Sequence, residues 1–81
     1  MKIYTITCVI AVDFNEEIDT KVFADKETAQ AEFDRQRNDS RKCDNRDGWH
    51  IESDEDNYYE SYTDGSYAEN HCVIKLEEHE V

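Results

Sequence analysis

An α+β fold is expected, in which an antiparallel sheet with elements in the order β-β-α-β-β-β carries one helix packed on one face. Three observations point there. Residues 3–12, IYTITCVIAV, are rich in β-branched side chains; residues 26–42, KETAQAEFDRQRNDSRK, are good helix formers behind an acidic cap; and Asp64-Gly65 stands between two alternating segments. In the first strand the even positions Tyr4, Ile6, Cys8, Ile10 and Val12 make an unbroken apolar face, while the odd face is mixed. Asn15-Glu16-Glu17 reads as a turn and Lys21-Val22-Phe23-Ala24 as a short second strand, so that the two form a hairpin.

Asp25 can accept hydrogen bonds from the first free amides of the helix, and Arg35, Arg37, Arg41 and Lys42 fall in its second half, where the helix dipole favours cations. Its apolar stripe is narrow. Ala29 and Phe33 are four residues apart, with Gln36, Ser40 and Cys43 continuing the line, so Phe33 is the expected anchor. The run Asp44 to Gly48 turns the chain. Trp49-His50-Ile51-Glu52-Ser53 then alternates as a half-buried strand with Trp49 and Ile51 inward, and Ser53 to Asp56 read as a loop that begins at the strand's last residue. Asn57 to Tyr62 and Ser66 to Leu76 form the last hairpin, across a two-residue type I′ turn at Asp64-Gly65.

With 81 residues the chain is expected to be a single domain, 1–81. The formal charge is −12, from 21 acidic and 9 basic side chains, so direct binding to DNA, RNA or an anionic membrane is disfavoured. No segment has the roughly 20 consecutive apolar residues of a membrane-spanning helix. The amino-terminal apolar run is short and lacks a small-x-small cleavage site, so it reads as a strand rather than a signal peptide. Cys8, Cys43 and Cys72 are widely spaced and odd in number, which suits a reducing, cytoplasmic compartment.

The charge is uneven. Residues 47–81 carry 11 acids against Lys75 alone, whereas residues 35–46 are net positive through Arg35, Arg37, Arg41, Lys42 and Arg46. That basic cluster is expected to offset the helix dipole and nearby acids, the alternative being contact with RNA or an acidic partner. A two-residue turn at Asp64-Gly65 would pair Tyr62 with Tyr67, Glu60 with Glu69 and Tyr58 with His71. Ile74 and Leu76 fix the opposite side as the core, together with Tyr59, Ser61 and Cys72. Opposed glutamates disfavour folding, and interleaved tyrosines are common in recognition surfaces. The expected partner-binding residues are therefore Glu52, Asp54, Glu55, Asp56, Tyr58, Glu60, Tyr62, Asp64, Tyr67, Glu69 and His71. Carboxylates recur every ~6.6 Å on one face of a strand, and adjacent strands and loop acids raise their density toward the phosphate spacing of DNA, ~3.4 Å per strand.

In its acidity, its lack of proline and its compact layout closed by the hairpin segment NYYESYTDGSYAENH, residues 57–71, the chain resembles the small acidic inhibitors of phages and mobile elements. These include anti-CRISPR proteins and anti-restriction DNA mimics. The resemblance is one of type and carries no residue by motif. It implies a non-catalytic inhibitor that binds a CRISPR or restriction nuclease, acting in the cytoplasm of a bacterial host.

Other chemistry finds little support. Asp13 to Ala24 offers oxygen ligands, but Ile18 stands where a calcium loop needs glycine and Ala24 where it needs glutamate. Clustered acids there or at Asp54-Glu55-Asp56 could attract a divalent cation only weakly. His71 and Cys72 point to opposite faces, and His50 and His79 lack ligand-spaced partners, so no metal or other cofactor is expected. Cys8 and Cys72 fall on the core side, and the two glycines form no phosphate loop, so the protein is not expected to be an enzyme. The expected function is blockade of the nucleic-acid site of a basic protein. The alternative is a small structural or oligomeric accessory domain with a merely solubilising acidic surface, and a homodimer is compatible with either.

Overall fold

The computed structural model describes residues 1–12, 15–44, 48–63 and 70–81, except for the side chain of Val12. It is a small α+β fold with elements β1 (Lys2–Val12), β2 (Asn15–Phe23), α1 (Lys26–Asp44), β3 (Trp49–Asp54), β4 (Tyr58–Thr63) and β5 (His71–Glu80). The strands make one antiparallel sheet in the order β2-β1-β5-β4-β3. Its β-β-α-β-β-β order is the expected one.

The helix begins as its sequence directs. Asp25 Oδ2 accepts from the Thr28 amide at 2.8 Å and from the Thr28 hydroxyl at 2.7 Å, and these bonds hold the Asp25 carboxyl below its usual range. Ala29 and Phe33 are fully buried. Phe33 shares one buried cluster with Ile6, Tyr59, Cys72 and Ile74, flanked by Cys8, Phe23 and Leu76. Register puts Cys8 opposite Ile74, Ile74 opposite Tyr59, and Cys72 opposite Ser61. Strand alternation therefore gathers these side chains on one side of the pleat, the inner face.

Several boundaries and burials differ from the expected ones. Asn15, Glu16 and Glu17 are strand rather than turn, because the β1–β2 ladder continues to Val12 opposite Asn15. β3 runs one residue beyond the expected strand, to Asp54, and β5 continues to Glu80 because Lys2 to Thr5 supply partners for Glu77 to Glu80. Ile10 and Ile51 are 41% and 47% exposed instead of buried, and Cys43 is exposed where the stripe put it inside. A single helix cannot cover five strands. It lies mainly against β5 and β1, leaving the end of β1 and the edge strand β3 wet. Asp44 takes the buried place instead, accepting a 2.5 Å hydrogen bond from Tyr59. Gly48, at φ +91°, turns the chain into β3 in a conformation that other L-residues rarely adopt.

The last hairpin has a different register. Tyr62 faces His71, Glu60 faces Val73 and Tyr58 faces Lys75, four residues away from the pairing that a two-residue turn would impose. Thr63 and Asn70 close this ladder through a 2.9 Å backbone hydrogen bond, and the Asp64-Gly65 turn lies outside the described residues. An even shift preserves which side chains point inward, so the hydrophobic pattern is satisfied by both registers. Tyr59 against Ile74, inside the Phe33 cluster, selects the observed one.

Replacing Phe33 with Ala should cost about 3–5 kcal/mol, most of the stability of a domain this small, and urea denaturation should find the variant largely unfolded. Asp25→Ala, which removes only the cap, should cost about 1 kcal/mol by the same measurement.

Candidate partner-binding face

The outer face of the sheet is the side opposite the Phe33 cluster. It presents Glu16, Ile18, Thr20 and Val22 of β2, the odd residues of β1, His71, Val73, Lys75, Glu77 and His79 of β5, and Tyr58, Glu60 and Tyr62 of β4. None of these side chains is buried.

Four of the expected binding residues converge here. His71 Nε2 donates to Glu60 Oε2 at 2.8 Å, and the Tyr58 hydroxyl donates to Glu60 Oε1 at 2.8 Å. These two bonds, His71 foremost, hold the Glu60 carboxyl below its usual range, and donation to Glu60 raises the Tyr58 phenol. Tyr62 stacks on His50 with centroids 5.3 Å apart and planes 30° apart. A cleft of about 520 Å³ is lined by Ala11, Glu60, Tyr62 and His71. The expected clash of Glu60 with a cross-strand glutamate is not made, since Val73 occupies that place and His71 sits beside the carboxylate.

The remaining acids lie elsewhere. Register shifts between Ile51 and Ser53, so β3 has a bulge that places Asp54 opposite Tyr59, on the inner side. There Arg41 grips it with two hydrogen bonds, Nε to Oδ2 at 2.7 Å and Nη2 to Oδ1 at 2.6 Å. Arg37, stacked over Phe33 at 5.4 Å, approaches Asp34, Asp54 and Asp56 at 3.3, 3.8 and 3.7 Å and donates to the Glu55 carbonyl. Arg35 binds Glu32 at 2.6 Å and Asp39 at 3.2 Å. Glu52, at the bulge, and the Glu55 side chain are exposed. Asp64, Tyr67 and Glu69 lie outside the described residues.

The described members of this set thus do not share one face: Tyr58, Glu60, Tyr62 and His71 lie on the outer side and Asp54 on the inner. The three arginines act as internal counter-ions, as expected for most of the basic cluster; Lys42 is exposed and Arg46 lies outside the described residues. His50 was not expected to take part. Its alternation with Trp49 and Ile51 was the available signal, since it puts His50 on the same side as Tyr62 once the strands are paired. Among the described residues, no three His, Cys, Asp or Glu side chains group as metal ligands, and no helix is long and apolar enough to cross a membrane. No protein-family model, curated protein or solved structure matches this chain.

The lowered Glu60 carboxyl has a sign for stability. Its contribution is complete above the ordinary glutamate range near ~4.3 and is lost as pH falls through the lowered folded value. Denaturation followed from pH 6 to pH 3 should therefore show a shallower acid loss for Glu60→Gln than for the wild type.

Proposed function

We propose that this chain is a non-catalytic acidic inhibitor. It binds a basic nucleic-acid-binding protein, of the CRISPR or restriction nuclease kind, and occupies the site meant for DNA or RNA. One observation carries the reading: Arg35, Arg37 and Arg41 are each bonded to carboxylates of this same chain. The main cationic cluster is thereby spent internally, and the excess of 12 negative charges is expressed outward. A field of that sign repels polynucleotides and steers cationic surfaces toward the protein.

The contact is placed on the outer face around Tyr58, Glu60, Tyr62, His50 and His71, with Glu52 at its margin. Tyr58 and Tyr62 are stiff, amphipathic anchors, and Glu60 between them accepts an arginine once it exchanges its bonds to His71 and Tyr58. Asp54 and Asp56 serve folding first, because an external cation would have to displace Arg41 and Arg37. A second reading, a structural or oligomeric accessory domain, draws on the exposed Ile18 and Val22 of β2.

Binding to an immobilised basic nuclease should weaken at least about tenfold between 50 and 200 mM salt, and duplex DNA should compete for it. Glu60→Lys combined with Tyr62→Ala should abolish capture while circular dichroism stays native. Capture that is indifferent to salt, to DNA and to these substitutions would refute the proposal.

A further inference from the structure

The two edges of the sheet differ. At one edge β3 is short, bulged and acidic, features that discourage further strand pairing. At the other, β2 runs nine residues, and its register with β1 is unbroken from Phe23 opposite Tyr4 to Asn15 opposite Val12. Every β2 residue before Phe23 is exposed, including Ile18 and Val22 at 63% each. A long, regular strand with one side unpaired is a template for another strand.

Its sequence is complementary to itself. We propose that β2 is the docking edge for a second copy of this chain, joined antiparallel about a two-fold axis at Thr20 to make a continuous ten-stranded sheet. Directly opposed residues in such a pair share a face, so each possible axis passes through one residue and fixes all the pairs. With the axis at Thr20, Thr20 meets Thr20, Ile18 meets Val22, Asp19 meets Lys21 and Glu17 meets Phe23, the last three pairs each occurring twice. The outer face gains a stripe of β-branched contacts, and the inner face gains two opposite-charge pairs. Axes at Asp19 or Lys21 would oppose like charges at the centre, and an axis at Ile18 would oppose Glu17 to Asp19. An axis at Val22 would leave residues 15–20 without β2 partners, so charge and ladder length together favour the axis at Thr20.

Lys21 is available for the contact. Its ammonium uses one donor on Glu32 at 3.1 Å, and Glu32 is held independently by two hydrogen bonds from Arg35 at 2.9 and 2.6 Å. The helix lies mainly against β5 and β1 and touches β2 as well, as the Lys21–Glu32 pair shows, yet every β2 residue before Phe23 stays exposed. An interface of one strand pair is small, so the dimer is weak, with Kd about 10 µM to 1 mM. Because β2 lies across the sheet from β4, where the basic partner was placed, the two proposals stand or fall separately.

Site-directed disulfide trapping tests the register. In a Cys43→Ser background, at about 100 µM protein with enough salt to screen the repulsion between two copies of charge −12, Thr20→Cys should give a covalent dimer on mild oxidation. The opposed Cβ atoms would be about 4.5–5.5 Å apart. Ile18→Cys alone should not cross-link, because the two Ile18 positions are offset by about 13 Å along the strand, whereas a mixture of Ile18→Cys and Val22→Cys should. By sedimentation equilibrium, Asp19→Lys should weaken association about tenfold, and Asp19→Lys with Lys21→Asp should restore it. Absence of a covalent Thr20→Cys dimer overturns the proposal, as does cross-linking of Ile18→Cys as fast as Thr20→Cys. Either failure leaves capture by a basic nuclease untouched.

Discussion

Phe33 is the point on which this molecule depends. The chain has one helix for five strands, and that helix buries only two apolar side chains, Ala29 and Phe33. Phe33 shares one buried cluster with Ile6 of β1, Tyr59 of β4 and both Cys72 and Ile74 of β5, so this cluster ties the helix to three strands at once. Residues beyond its reach stay wet whatever their hydropathy, as Ile10 and Ile51 do. The opposite face has no buried side chain at all among the described residues, and the surfaces proposed for partners lie there and along the β2 edge.

The second constraint is charge. A chain of −12 must fold against its own repulsion, and the helix cations answer it by reaching across to Asp54 at the end of β3 and Asp56 just after it. Arg41 and Arg37 hold Asp54 and Asp56, and Arg37 also lies over the Phe33 ring, so the electrostatic clasp and the hydrophobic anchor meet at one helix position. Exposed ion pairs contribute little one by one. Here Asp54 is only partly accessible and is held by a planar two-pronged contact, the geometry in which such pairs matter most.

The acidic surface and the aromatic hairpin therefore play different parts. Tyr58, Glu60, Tyr62 and His71 form a linked group on the outer face, whereas Asp54 and Asp56 belong to the support of the fold. What looked in sequence like one continuous acidic stretch is split by the pleat and by a bulge.

By itself the sequence determined the elements, their order and the side of each hairpin strand that faces inward, since these follow from local periodicity: β-branched alternation in residues 3–12, the Asp25 cap, and Ile74 with Leu76 as the last apolar pair. Phe33 as anchor was legible for the same reason. Tertiary structure decided the rest. The four-residue change of register in the last hairpin is invisible to a pattern of period two, and only the fit of Tyr59 against Ile74 beneath Phe33 resolves it. The bulge at β3 moves Asp54 to the inner side, opposite Tyr59, and no local propensity marks it; only pairing with β4 reveals it. Strand order, which makes β2 and β3 the edges and leaves Ile18, Val22 and Ile51 exposed, depends on contacts between residues far apart in the chain, where a reading of neighbours has no purchase.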